Sequence, residues 1–237
     1  LTDGVKYMID NGYTDKKKVA IMGGSYGGYA TLAGLAFTPE IYAAGVSIVG
    51  PSNLITLLKS IPPYWGPIRK MFDVRLGNIE IPADAERLKK QSPLFSAKNI
   101  KSPLLVIQGA NDPRVKQAES DQIVATLRDL KRPIEYILAP DEGHGFAGKI
   151  NRMAMIAKID KFLSKFLGGR SQDSYSPEVL TRLIELTVDV NSVKMPENVQ
   201  IPKSDNKGSS LDINFAGYKD TKLIYDVKIS VQGREFN

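Results

Sequence analysis

Three residues in this chain have the types and the order needed for nucleophilic attack on a carbonyl: Ser25, Asp112 and His144. A serine hydroxyl at its ordinary pKa is a poor nucleophile and needs a base within hydrogen-bond reach. Imidazole suits that task because it titrates near neutral pH, and the 237-residue chain has a single histidine to supply it. The base in turn needs an acid that orients the ring and stabilises its charged form. Asp112 fits best, since it follows a strongly apolar run and precedes the rigid Pro113. Asp141 and Glu142 share the histidine's loop and are expected to be solvated, with a substitute acid there left open. A lone histidine is more often a surface or satisfied core residue. Here the flanking Gly143 and Gly145, which leave the ring unobstructed, weigh against that.

The elements around these residues give them their meaning. Val19 to Met22 is a short apolar run with the composition of a buried strand. Gly23, Gly24, Gly27 and Gly28 bracket the serine, and small residues then lead into a second apolar run. Gly-x-Ser-x-Gly alone arises by chance in many chains. Between a strand and a helix it is the pattern of a nucleophile elbow, a turn so sharp that the serine backbone is strained and bulky neighbours do not fit. The helix that follows aims its N-terminal amides at the site, which favours developing negative charge.

Further strands are predicted at about 45–49, 103–108 and 134–139, with helices at about 3–11, 27–37, 52–59, 82–91, 117–130 and 150–167. Strands alternating with helices of this length imply a parallel sheet with right-handed crossovers. In such a sheet reactive groups collect in loops beyond the carboxyl ends of the strands. Ser25, Asp112 and His144 each follow a predicted strand, and their order is that of the α/β-hydrolases. The stretch 61–78, with three prolines and the only tryptophan, reads as an excursion off the sheet rather than one regular element.

Composition narrows the chemistry. The absence of cysteine excludes disulfides and thiolate catalysis, and one histidine excludes a polyhistidine metal site. The net charge of +6 falls mostly before residue 170, where the basic residues are scattered and no recognition motif accompanies them. A solvated face is expected there, not a nucleic-acid surface. No apolar run approaches the ~20 residues of a membrane span. The chain opens at Leu1 in what reads as a helix, with nothing resembling a signal peptide. It is therefore expected to be a piece of a longer protein, cytoplasmic or exported.

Four stretches taken together are more specific. Gly-Gly-Ser-Tyr-Gly-Gly-Tyr-Ala, Ile-Pro-Pro-Tyr-Trp, Gly-Ala-Asn-Asp-Pro-Arg-Val and Asp-Glu-Gly-His-Gly-Phe, in that order, resemble the catalytic domain of the prolyl oligopeptidase family of serine peptidases. Within it the acylaminoacyl-peptidase and dipeptidyl-peptidase-like branch is most similar. The resemblance covers roughly residues 1–169. It implies a partial α/β-hydrolase fold: the last four strands of a mostly parallel sheet with crossover helices, plus a C-terminal tail. It also implies that Ser25 is the nucleophile, Asp112 the orienting acid and His144 the base, with the Tyr26 amide as one oxyanion donor. Arg114, two residues after the acid, resembles a family position whose side chain binds a substrate carbonyl. Tyr64 and Trp65 match the region lining the pocket for the residue before the cut bond. A plain surface charge at Arg114 and ordinary aromatic packing at Tyr64 and Trp65 are the simpler alternatives. Family members also carry upstream strands, a loop with a second oxyanion donor, and a β-propeller. With 24 residues before Ser25 these are expected to be missing, and one lost donor typically costs about 10²–10³ in turnover.

Two regions are thus predicted: 1–169, the C-terminal part of a peptidase domain, and 170–237, a linker-like tail. The tail includes a short helix at about 177–188, a linker at 203–210 and a hairpin-like alternation from Leu211. The expected activity is hydrolysis of short peptides through an acyl-enzyme, without a metal or organic cofactor and without a nucleic-acid partner. Homo-oligomer formation is left open. The alternatives are a carboxylesterase using the same three residues, and a binding module that keeps a hydrolase scaffold without turnover.

Overall fold

The computed structural model describes residues 1–61 and 63–197. The linker predicted at 203–210 and the hairpin predicted from Leu211 lie outside the described residues. One unit contains Leu1–Lys16, with helix α1 over Thr2–Asp10. The other runs from Lys17 to Gln200 and holds everything below.

Four strands lie side by side in chain order, each parallel to the next: β1 (Ala20–Gly24), β2 (Ala44–Ile48), β3 (Leu104–Gly109) and β4 (Ile134–Ala139). Parallel neighbours need a crossover. Helix α2 (Tyr26–Phe37) joins β1 to β2. Between β2 and β3 the chain leaves the sheet through α3 (Leu54–Lys59), a 3-10 turn at Pro63–Ile68, α4 (Arg69–Arg75), α5 (Pro82–Gln91) and a second 3-10 turn at Pro93–Asn99. The prolines break the excursion as expected, and Leu54, Leu58 and Leu88 give it a small core of its own. Helix α6 (Gln117–Asp129) joins β3 to β4, and α7 (Lys149–Leu167) follows β4.

Alternation along the strands assigns the faces. Val46, Leu105, Ile107 and Ile137 form one core with Ala154, Ala157 and Phe162 of α7. Ser47 and Gln108 point the other way, bonding Gly28 of α2 and Ser120 of α6. β3 is buried at every residue. A strand covered on both faces is nearly continuously apolar, here Leu104 to Ile107, which is why this was the clearest strand in the sequence.

The boundary predicted at residue 170 does not mark the end of packing. Helix α8 (Pro177–Leu186) lies on α7, with Val179 and Leu186 buried in the same core as Phe146 and Ala154. Beyond it the Val188 amide donates to the Tyr136 carbonyl at 3.0 Å, and Thr187 bridges Ile137 on the outer edge of β4. The physical reason is twofold. Val179, Leu183 and Leu186 form an apolar stripe that requires cover, and the unpaired edge of β4 requires partners. The segment up to 197 therefore belongs to the packed unit rather than to a linker.

One buried carboxylate also shapes the excursion. Glu119, in the first turn of α6, is 2 % exposed. It accepts hydrogen bonds from the Ser52 and Asn53 amides at 3.0 and 2.9 Å, from Gln122 Nε2 at 2.9 Å, and from the Thr56 hydroxyl. Burial pushes its carboxyl up to about 7, against donors that favour the charged form. A carboxyl raised on folding supplies stability that is complete below its unfolded value and is lost as pH rises through the folded one. Stability is expected to fall by about 3 kcal/mol as pH rises from ordinary carboxylate values through about 7. Glu119→Gln removes this dependence while its amide oxygen still accepts from the two backbone amides. The variant's melting temperature should therefore gain on that of the wild type between about pH 5 and pH 8. Parallel melting curves across that range would refute the assignment.

Candidate active site

Ser25 is the single residue between β1 and α2, and its backbone adopts φ 58°, ψ −117°. A non-glycine residue pays for such angles only where its surroundings enforce them. Two contacts do so here. The Ser25 amide donates to the Ile48 carbonyl at 2.9 Å, tying the turn to the end of β2. Gly28, one turn into α2, packs so close to Gly50 that a Cβ would lie 2.6 Å from its Cα. Gly28 is thus required by close approach of helix to sheet, whereas a Cβ at Gly27 would meet nothing within 4 Å.

Asp112 follows β3. Its Oδ1 accepts the Arg114 and Val115 amides at 2.8 and 2.9 Å, leaving Oδ2 for His144 Nδ1 at 2.7 Å. His144 Nε2 in turn lies 3.0 Å from Ser25 Oγ. Burial pushes the Asp112 carboxyl up, but the bonds from His144 and the Val115 and Arg114 amides outweigh it and hold the group below its ordinary value. An ionised Asp112 fixes the Nδ1 proton, so Nε2 presents a lone pair to the serine hydroxyl. Such a chain can remove a proton from Oγ and stabilise the resulting positive ring.

The loops bearing the acid and the histidine are locked together. The Asn111 amide donates to the Glu142 carbonyl at 2.9 Å and its side chain to the Pro140 carbonyl at 2.6 Å. Gly109 allows this approach, because a Cβ there would overlap the Gly143 carbonyl.

Asp141 is exposed to solvent as predicted from sequence, Glu142 is not, and neither replaces Asp112. Glu142 is 5 % exposed and accepts the Ala147 and Gly148 amides, each at 2.8 Å, together with Asn151 Nδ2 at 2.7 Å. It satisfies amides at the entrance of α7. Asp141 is held by Arg182. Neither role was legible, because the partners Asn151 and Arg182 are brought in by helices that pack only in the folded chain.

The remaining predicted residues divide. Tyr26 is the first residue of α2, so its amide stands at the helix N-terminus beside Ser25. Arg114 lies over the Trp65 ring, with Cζ 5.9 Å from the centroid, and Trp65 stacks on Phe72 at 5.6 Å. The excursion and the acid loop therefore meet. Tyr64, 60 % exposed, touches the edge of Trp65 with centroids 6.3 Å apart. Among the described residues no group of three His, Asp or Glu side chains is placed to hold a metal ion, and no helix is long and apolar enough to cross a membrane.

The prolyl oligopeptidase family matches residues 1–170. The chain belongs to this family. It is 53 % identical over 172 residues to dipeptidyl aminopeptidase BIII of Pseudoxanthomonas mexicana, which covers 73 % of the chain and 25 % of that protein. It is 49 % identical over 173 residues to dipeptidyl peptidase family member 6 of Caenorhabditis elegans, covering 73 % of the chain and 23 % of the relative. Among solved structures, the uncomplexed acylaminoacyl peptidase of Pyrococcus horikoshii superposes with a TM-score of 0.62 at 25 % identity, over 76 % of this chain and 28 % of that one. This prolyl oligopeptidase-family chain thus spans about a quarter of the length of the relatives it matches. The four parallel strands with their helices are part of an α/β-hydrolase fold, as predicted.

Proposed function

We propose that this chain carries the nucleophile, acid and base of a serine peptidase that cleaves short peptides through an acyl-enzyme. The observation behind this reading is the unbroken hydrogen-bonded line from Ser25 Oγ through His144 to Asp112, at 3.0 and 2.7 Å, built on a strained elbow. Ser25 attacks the peptide carbonyl as His144 Nε2 takes its proton, and Asp112 holds the imidazolium that forms. The oxyanion is met by the Tyr26 amide at the start of α2. His144 then returns the proton to the departing amine, and a water activated by the same ring releases the acid. The peptide substrate is suggested by the relatives, two of which are named for removing dipeptides. A fluorophosphonate should label the protein at one serine, with labelling lost in Ser25→Ala. Failure of the folded protein to label would overturn this proposal.

The Arg114 guanidinium, held over Trp65 beside the acid loop, is assigned to a substrate backbone carbonyl. A charged hydrogen bond of this kind contributes about 1.5–3 kcal/mol. Arg114→Ala should therefore lower kcat/KM for an aminoacyl anilide by roughly 10- to 100-fold, while a small aryl ester is barely affected. An unchanged anilide rate would remove Arg114 from substrate binding, and equal losses on both substrates would favour an esterase.

A further inference from the structure

We infer that Arg182, on the helix beyond the family match, is a positioning residue that holds the His144 loop in its working place. The inference rests on the peptidase reading above. The family match ends at residue 170, and α8 begins at Pro177. The helix is firmly seated. Ser176 caps it by accepting the Val179 amide, and Val179 and Leu186 are 1 % and 0 % exposed in the main core.

From this seat the Arg182 guanidinium forks in three directions. Nη2 donates to both oxygens of Asp141 at 2.7 and 2.8 Å, Nε to Asn151 Oδ1 at 2.7 Å, and Nη1 to Glu185 Oε2 at 2.8 Å. Asp141 stands three residues before His144 in the same loop. Asn151 passes the connection on through Nδ2 to Glu142, whose carboxylate closes the loop from the other side at Ala147 and Gly148. His144 therefore sits at the centre of a loop gripped at both ends by one connected set of bonds.

The loop needs such a grip. Gly143 and Gly145 flank the histidine, and Gly145 adopts φ 111°. Glycine supplies no side chain to pack, so the local chain does little to fix the ring. An isolated surface ion pair would contribute almost nothing. A planar guanidinium with four bonds, its Nη2 shared between both oxygens of one carboxylate, fixes geometry in a way a single ion pair does not. Displacing a catalytic group by about 1 Å can cost on the order of 100-fold in rate.

The competing account makes α8 a brace that adds stability and nothing else. Arg128→Ala serves as its control, because Arg128 anchors the chain after α8 through the Val190 and Val193 carbonyls and does not touch the loop. Arg182→Ala should lower kcat for an aminoacyl anilide by roughly 10- to 100-fold with KM within about twofold. Arg182→Lys, which keeps the charge but not the fork, should recover only part. Adding Asp141→Ala to Arg182→Ala should cost little more, since both remove the same link. Arg128→Ala should lower the melting temperature and leave kcat alone.

The single histidine allows a readout that does not depend on turnover. The downfield proton of the Nδ1–H bond to Asp112 should be sharp in the wild type and in Arg128→Ala, and broadened or lost in Arg182→Ala. Wild-type kcat and an unaltered proton signal in Arg182→Ala would overturn the positioning role. If the wild type neither labels nor hydrolyses, the peptidase reading fails, and the proton signal still decides whether Arg182 sets the position of His144.

Discussion

His144→Ala is expected to lower peptide turnover by a factor on the order of 10⁵–10⁶ and to abolish fluorophosphonate labelling, while the protein remains folded. The size of the effect follows from the absence of any substitute. The chain has one histidine, and the carboxylates nearest to it along the loop are already committed. Asp141 is paired with Arg182, and Glu142 is buried against backbone amides. Without the ring, the Ser25 hydroxyl loses the acceptor 3.0 Å away and keeps its proton at neutral pH. The fold should survive because the ring lies in a glycine-flanked loop outside the hydrophobic core. Ser25→Ala should cost about as much. The double variant should be no worse than either single one, because the two groups act as a unit. Turnover on an aminoacyl anilide, with circular dichroism for folding, checks this; residual activity above about one per cent in either folded variant would count against the assigned roles.

Asp112→Asn should lower turnover by about 10⁴, and the hydrogen bonds of this site say by what route. Oδ1 of Asp112 accepts two backbone amides, from Arg114 and Val115, and Oδ2 meets His144 Nδ1. An asparagine must turn its carbonyl oxygen to the two backbone donors, because its amino group would clash with them. The amino group then faces Nδ1 and donates to it, so the imidazole carries its proton on Nε2. That nitrogen would donate to the Ser25 hydroxyl instead of accepting from it, and the base is lost with the geometry nearly intact. Asp112→Ala tests the explanation. It abandons the two amides and should lose more stability, at roughly 1–3 kcal/mol per orphaned donor, while it does not enforce the wrong tautomer. Equal melting temperatures for the two variants, or near-normal turnover in Asp112→Asn, would contradict the argument.

Much of the site was legible because its logic is local. Strand, glycine-rich turn and helix around Ser25 form one continuous stretch, and the turn needs glycine at Gly23 and Gly28, where a Cβ would overlap backbone. The apolar run ahead of Asp112 and the one ahead of Gly143-His144-Gly145 mark strand ends in the same way. Parallel pairing then brings the three strand ends to one edge of the sheet, so order and spacing were enough to predict which residues would meet. Arg114 and Trp65 were each picked out singly, whereas their mutual contact depends on how the excursion folds back.

Other features were decided only in three dimensions. Nothing in the sequence around Glu119 marks it as buried, since its partners Ser52 and Asn53 lie 67 and 66 positions away. Glu142 looks solvated in the sequence because a carboxylate's surroundings are set by other elements, and the partner of its exposed neighbour Asp141, Arg182, is 41 residues on. The sequence predicts a short helix at about 177–188, but that its Val179, Leu183 and Leu186 face packs in the core beside α7, with the chain after it on the edge of β4, is set by the fold. Periodicity reveals that a surface needs cover. Which surface covers it, and which polar groups are carried inside with it, is determined by packing between residues far apart in the chain.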